Sequence, residues 1–374
     1  MAEKQNIVYF LGAGSSYCFG YPLTWEMMAD ILGKLRAGNL FNSAQTGCRI
    51  PTDDPDEKEL LEYIELTYPG LIGIDLSSDA KRVPNIIEVF SFVDHLCFYN
   101  TPHHPYMTET KLTRFKVLLN RALVELILIY EKETKENVKS HPEKSQLKKK
   151  FIASIRQQYN EANVTIITTN YDMVIDDAFQ KEANENKIFY GFPYRSIQTG
   201  DIIYRPDECR LNYYKLHGSL NWLMCSLCGR YYINWDYSIA NLAYTEKTED
   251  YNRCHCNKDM RLSAVLIAPS TVRDIRDSNL LQIWKEAQEA IWKADKLIMV
   301  GYSLPAEDLA IKSIILRGLN GNWSKKMREL EIVQYKDEAR PNYINAFGEA
   351  FNEKHYYNLG LEAYLQSKHP HLFE

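Results

Sequence analysis

The stretch Asn6-Ile7-Val8-Tyr9-Phe10-Leu11-Gly12-Ala13-Gly14-Ser15-Ser16 decides the fold class. Its first half is a short apolar run and its second half a glycine–serine loop. An apolar run of that length, stopped by glycine, reads as a buried strand entering a tight turn. Beyond it, Gly20-Tyr21-Pro22-Leu23-Thr24 leads to Trp25, Met28, Leu32 and Leu35, which mark one helical face with Thr24 as its N-cap. Strand, glycine turn and helix make the opening unit of a parallel α/β sheet. In such sheets ligands sit beyond the carboxyl ends of the strands.

The same alternation returns downstream. Val164 to Thr169 reads as a strand, followed by Asn170-Tyr171-Asp172 and a helix through Val174, Ala178 and Phe179. Leu211 to Leu216 is a strand ending at His217-Gly218-Ser219, and Val265 to Ala268 is a further apolar run. Leu281, Trp284, Gln288 and Ile291 mark an amphipathic helix. Lys296 to Val300 is a strand stopped by Gly301-Tyr302-Ser303-Leu304-Pro305, and Leu330 to Val333 is the last strand. The expected fold is α/β, a Rossmann-like parallel sheet assembled from residues 1–35, 161–220 and 262–350. Residues 36–160 break the alternation. Phe115 to Tyr130 has helical spacing, and Lys132 to Lys150 is a charged run read as solvated loop or exposed helix. A large, mainly helical insertion is expected there, a small zinc module at 221–261, and a C-terminal tail at 351–374.

Composition excludes several function classes. The chain has 374 residues, 45% hydrophobic and 25% charged, ordinary values for a globular protein. With 44 basic and 49 acidic residues the net charge is −5, which disfavours a dedicated nucleic-acid binder. No segment offers the ~18 apolar residues of a membrane span. The N-terminus lacks the apolar core of a secretion signal, so a soluble, cytoplasmic protein is expected. Of the eight cysteines, Cys18, Cys48, Cys97 and Cys209 are scattered, while Cys225, Cys228, Cys254 and Cys256 form two close pairs. Four thiolates in two short-spaced pairs fit tetrahedral zinc with no open position, hence a structural site; a redox dithiol is the lesser alternative.

Four other constellations carry polar groups at strand ends. Gly12-Ala13-Gly14-Ser15 allows a backbone to approach a diphosphate at a helix N-terminus, or makes a tight turn with no ligand. A dinucleotide fingerprint would place a third glycine at position 17, where Tyr17 stands. Thr168-Thr169-Asn170-Tyr171-Asp172 crowds polar side chains at one strand end, or is an Asx turn capped by Asp172. His217, beside Gly218, presents a ring nitrogen to a ligand or is simply packed. Gly301-Tyr302-Ser303 is a second glycine–serine turn, or a helix start with Pro305 in its first turn.

Taken in order, these motifs resemble the sirtuin family, which has a Gly-Ala-Gly-x-Ser loop, Thr-x-Asn-x-Asp, His-Gly, a four-cysteine zinc module and a Gly-x-Ser loop. The resemblance covers about 200 residues in pieces, leaving out 36–160 and the C-terminal end. Sirtuin deacylases carry Gly-Ile-Pro-Asp-Phe-Arg after the first loop; here Gly20-Tyr21-Pro22-Leu23-Thr24-Trp25 stands there. Thr168 to Asp172, Leu216 to Ser219 and the Gly301 loop with Asp308 look more like the sirtuin-like domains of bacterial antiphage defence proteins, many of which hydrolyse NAD. The zinc module is typical of deacylases. The resemblance implies NAD as substrate and structural zinc on the four cysteines. It implies Gly12, Ala13, Gly14 and Ser15 on the diphosphate, and Gly301 and Ser303 by the adenosine ribose. It further implies Asp172 on the carboxamide, Asn170 placing a water by the nicotinamide ribose, and His217 as general base. The expected activity is NAD hydrolysis to nicotinamide and ADP-ribose by a defence effector. A protein deacylase and a non-catalytic NAD or ADP-ribose sensor are the alternatives. A homo-oligomer, and a partner protein contacting the 36–160 insertion, are expected as its controls.

Overall fold

In the computed structural model the first apolar run, Gln5–Leu11, is strand β1 at the interior of a seven-stranded sheet. The structure describes residues 4–41, 54–136, 140–159, 161–180, 188–205, 209, 211–244, 253–271, 277–320 and 329–374. Cys48, with residues 42–53 and 137–139 of the insertion and 245–252 of the zinc module, lies outside the described residues. The further strands are β2 (Ala162–Thr168), β3 (Ile188–Phe189), β4 (Tyr194–Ser196), β5 (Ile202–Ile203), β6 (Leu211–Lys215) and β7 (Gly218–Met224). They continue with β8 (Tyr231–Ile233), β9 (Ser263–Leu266), β10 (Lys296–Val300), β11 (Glu329–Val333) and β12 (Tyr356–Tyr357). The large sheet runs β12-β11-β10-β1-β2-β6-β3 and every pairing in it is parallel. Its inner strands are buried on both faces, so they read as continuous apolar runs rather than alternating ones.

The helices are α1 (Ala13–Tyr17), α2 (Met27–Arg36), α3 (Pro55–Thr67), α4 (Leu76–Asp79), α5 (Ile86–Tyr99), α6 (Glu109–Glu136) and α7 (Pro142–Gln158). After β2 come α8 (Val174–Gln180), α9 (Ser278–Lys293), α10 (Leu309–Asn320), α11 (Arg340–Phe347) and α12 (Gly360–Lys368). Between β1 and β2 the regular elements of the described residues are all helical. The long helix α6 buries Leu112, Phe115, Leu119, Ala122, Leu126 and others along one side, against a face of α5 that buries Val89, Phe90 and Val93. Asn85 caps α5 by accepting the Glu88 N–H at 2.9 Å.

Four local readings need correction. Thr24 does not cap α2: its N-cap is Glu26, whose carboxylate turns back to accept the Leu23 N–H at 2.8 Å. The face of α9 is rotated by one position, with Leu280, Ile283, Ala287 and Ile291 buried and Leu281 48% exposed. Val265 belongs to β9, which is not in the large sheet. A second sheet, β5-β4-β8-β7-β9, holds it and includes strands of the cysteine segment. Finally, residues 351–374 are no tail. Strand β12 pairs with β11, and α12 lays Leu361, Tyr364 and Leu365 into the core.

Strand order explains where a ligand goes. From β1 the chain adds β2, then edge strand β3, and returns to fill β6 between them before crossing to the other side of β1 for β10, β11 and β12. The order reverses between β1 and β10, and the two glycine loops leave the sheet side by side at that switch point.

Candidate nucleotide cleft and cysteine cluster

The two glycine loops touch backbone to backbone. Gly12 N–H donates to Val300 O at 3.0 Å and Gly14 N–H to Gly301 O at 2.9 Å. A Cβ on Gly12 would lie 2.6 Å from Tyr302 Cα, and one on Gly301 would lie 2.2 Å from Ser15 N. Gly301 also has φ +62°, the left-handed region that favours glycine. Both glycines are therefore required for the loops to meet.

Asn170 and Asp172 extend beyond β2 and seal this junction. Asn170 Nδ2 stands within hydrogen-bond reach of Gly12 O (2.9 Å), Ser16 Oγ (2.9 Å) and Ser15 Oγ (3.2 Å). Its amide donor side is thus committed to the glycine loop, leaving Oδ1 as the acceptor available to a ligand. Asp172 Oδ1 accepts the Val174 N–H at 3.0 Å, an Asx turn, while Oδ2 accepts the Ser16 hydroxyl at 2.7 Å. Burial pushes the Asp172 carboxyl up; the Lys215 charge and the Ser16 hydrogen bond oppose it without cancelling it.

His217 sits where the chain leaves the large sheet for the second. It is 6% exposed, its ring 6.1 Å from that of Tyr171, and its carbonyl accepts the Ile267 N–H at 2.8 Å. Gly218 beside it has φ +80°, and a Cβ there would lie 2.0 Å from Val265 O. The glycine of this motif serves close strand approach.

One cleft collects these groups. Ala13, Asn170, Asp172, His217, Gly301 and Ser303 all line it, while Gly12, Gly14 and Ser15 are not on its wall. Its empty space, open mouth included, is about 960 Å³. Sequence reasoning missed several wall residues. Ser16, rather than Ser15, turns its hydroxyl to Asp172; Ser15 turns its own to Gly12 O at 2.7 Å. The second serine of the quoted loop was a signal for it. Ile87 and Ile127 reach the wall from α5 and α6, and nothing in their helical pattern sets them apart from core residues.

The cysteines come together in the second sheet. The four Sγ atoms of Cys225, Cys228, Cys254 and Cys256 lie within 4.8 Å of one another. Cys225 and Cys256 are 3.7 Å apart, and Cys228 and Cys254 3.5 Å. A tetrahedral zinc with Zn–S of about 2.3 Å sets its sulfurs about 3.8 Å apart, so the donor set fits. Gly229, at φ +67°, turns the first pair, with its N–H donating to Cys225 O at 2.9 Å. The Tyr232 hydroxyl lies 3.2 Å from Cys254 Sγ, an outer-shell contact that orients that ligand.

Among solved structures, the chain is similar to Sir2Tm bound to a propionylated peptide (13% identity, TM-score 0.35, covering 98% of this chain and 94% of that one). It is also similar to a Sir2–p53 peptide–NAD+ complex (13%, 0.36, 98% and 94%) and to a Sir2 homolog–NAD complex (13%, 0.39, 100% and 91%). These are distant likenesses. No curated protein matches the chain. Residues 164–351, about half the sequence, match the model of the SIR2-like domain. With its all-parallel sheet, its polar cleft at the switch point and its four-cysteine cluster, the chain belongs to the SIR2-like family of NAD-dependent enzymes.

Proposed function

We propose that the chain hydrolyses NAD to nicotinamide and ADP-ribose, as the effector of a bacterial antiphage defence system. The observation that carries this reading is the convergence of Asn170, Asp172 and His217 on one cleft between the two glycine loops. The C1′–N bond breaks with its electron pair going to the pyridinium nitrogen, so nicotinamide leaves neutral and no strong general acid is needed. Asp172 accepts from the carboxamide, Asn170 Oδ1 holds a ribose hydroxyl or the attacking water, and His217 takes the water's proton as oxygen bonds to C1′. Positioning and base catalysis of this kind supply typically ~10²–10⁴-fold for the base alone. Gly12, Ala13, Gly14 and Ser15 shape the loop facing the diphosphate, and Gly301 and Ser303 the adenosine-ribose end. Zinc on the four cysteines holds the second sheet and takes no part in the chemistry.

A deacylase is favoured by one feature, the four-cysteine cluster. The acceptor decides between the two: water gives hydrolysis, an acyl-lysine oxygen gives deacylation. An NAD hydrolase must also be held off until needed. The insertion, whose Ile87 and Ile127 wall the cleft, is where a homo-oligomer contact or a partner protein would act. The test is chromatography of nicotinamide and ADP-ribose after incubation with NAD, with and without an acetyl-lysine peptide, beside Asn170→Ala and His217→Ala. Peptide-independent cleavage, reduced ~10²-fold or more in both variants, is expected. Cleavage only with peptide would make the protein a deacylase, and tight NAD binding without turnover a sensor.

A further inference from the structure

Beneath the cleft lies an ion pair that none of the ligand-facing roles uses. Lys215, the last residue of β6, and Asp176, in the first turn of α8, are both fully buried, with Nζ 3.1 Å from Oδ2. An ammonium has three donors, and three acceptors surround this one: Asp172 O at 2.6 Å, Asp176 Oδ2 at 3.1 Å and Tyr171 O at 3.4 Å. The other Asp176 oxygen accepts the Tyr190 hydroxyl at 2.6 Å. Tyr190 packs on Tyr194, Tyr213 and Trp222, so the pair stands among aromatic rings, away from water.

A pair so placed is a costly way to gain stability, since apolar residues of equal volume often serve as well. Its geometry matches a different task. Two of the three Lys215 donors hold backbone carbonyls of the turn that carries Asn170 and Asp172. Two residues beyond the end of its strand the chain presents His217. One charge therefore ties the turn to the strand end, where the Tyr171 carbonyl also accepts the Leu220 N–H at 3.2 Å.

We propose that Lys215 is a positioning residue: by clamping the Tyr171 and Asp172 carbonyls it holds Asn170 and Asp172 in register with His217. Asp176 and Tyr190 hold the ammonium in place. The proposal rests on reading the cleft as the NAD-cleaving site. The charge has a second consequence. The charged and titratable groups around Asp172 are Lys215 from β6, Asp176 from α8, Tyr213 from β6 and Tyr21 from the loop after α1, with His217 and Asp308 on the same cleft wall. Lys215 is the cation that these described residues place there, and it opposes the upward push of burial on the Asp172 carboxyl.

Lys215→Met alone strands the Asp176 carboxylate and risks unfolding, so the informative variant is Lys215→Met with Asp176→Asn, which removes both charges and keeps an acceptor for Tyr190. Far-UV circular dichroism and melting establish that it folds. We expect kcat for NAD cleavage to fall on the order of 10²-fold with KM changed less than about threefold. We expect the acid limb of the kcat profile to move up, because Lys215 is the larger of the two charge effects on Asp172 that the variant removes. Unchanged kcat and an unmoved limb would overturn the proposal; so would a double variant that cannot fold, which would make the pair a stability device. Wild-type protein that binds NAD without cleaving it would sink the hydrolysis reading alone. The pH dependence of NAD affinity, by calorimetry, then carries the test: a limb displaced upward in the double variant upholds the positioning role, and an unmoved one ends it.

Discussion

Glu331 shows how a single side chain governs stability here. It is fully buried on β11, an inner strand of the large sheet. Burial alone would push its carboxyl up. Hydrogen bonds from Lys368 and Tyr364 and the Lys296 charge outweigh that push and hold it at about 2. The contacts are 2.6 Å to Lys368, 2.5 Å to Tyr364 and 3.1 Å to Lys296. The folded value lies below the ~4.3 of an unfolded glutamate, so its stabilisation is present above that pH and is lost as pH falls towards about 2. Glu331→Gln is expected to cost about 2–3 kcal/mol near neutrality and to flatten the acid limb of the stability curve, measured by urea melts from pH 7 to pH 3. An equally steep limb in the variant would show that other carboxylates drive acid unfolding. The lysines are partly exposed, which keeps this cost below that of a fully buried pair.

At the level of elements, the second sheet depends on its cysteines more than the large sheet depends on anything similar. The apolar cluster beside the cysteines is small: Leu223, Tyr232, Ile239 and Leu262, with Cys225 and Cys254 themselves. The expected zinc would cross-link the β7–β8 hairpin to residues 253–262 and fix what so small a core leaves loose. Incubation with a strong chelator is therefore expected to open this region first. Limited proteolysis should show cuts between residues 225 and 256 several-fold faster, while the bulk of the helical signal melts within a few degrees of the untreated protein. Unaltered proteolysis after metal analysis shows zinc removed would mean that the hairpin stands on its own packing. Beside the cysteine turn, the sheet is tied to the main domain by Tyr231, which pairs with Met224 and whose hydroxyl donates to Asp277 at 2.7 Å; the same carboxylate caps α9 through the Leu280 N–H.

Over the whole molecule, the last 24 residues complete the fold rather than trail from it. Strand β12 covers the edge of β11, and α12 buries Leu361, Tyr364 and Leu365 while supplying two of the three partners of Glu331. Removing residues 351–374 exposes several large apolar side chains, each worth about 1.5–3 kcal/mol, and strips the buried Glu331. That sum rivals the roughly 5–15 kcal/mol of a typical domain. The truncated chain is expected to be insoluble or unfolded by circular dichroism, and a cooperative melt near that of the intact chain would refute the assignment. Among the described residues no helix is long and apolar enough to cross a membrane. The insertion meets the second sheet as well as the cleft: Ser238 donates to Glu131 of α6 at 2.6 Å, so three parts of the molecule are joined around one site.

What the sequence determined by itself was the local vocabulary. The runs ending at Gly12, Asn170, His217 and Gly301 are strands or strand ends because apolar continuity and a following glycine or Asx turn are properties of neighbouring residues. The four cysteines were legible for the same reason, their spacing being a short-range fact. The tertiary structure alone decided what distant groups do to one another. It set Val265 in a second sheet, because pairing partners are not encoded in a four-residue run. It added Tyr356–Tyr357 to the large sheet and packed α12 into the core, since burial there depends on β11, which a short apolar stretch does not reveal. It turned Ser16 rather than Ser15 towards Asp172, and gave Gly12 and Gly14 the task of letting a second loop approach. It also buried Lys215 beneath the cleft, where one ammonium touches residues 39 to 44 positions away along the chain. Such charges take their meaning from the dielectric and the partners around them, and folding supplies both.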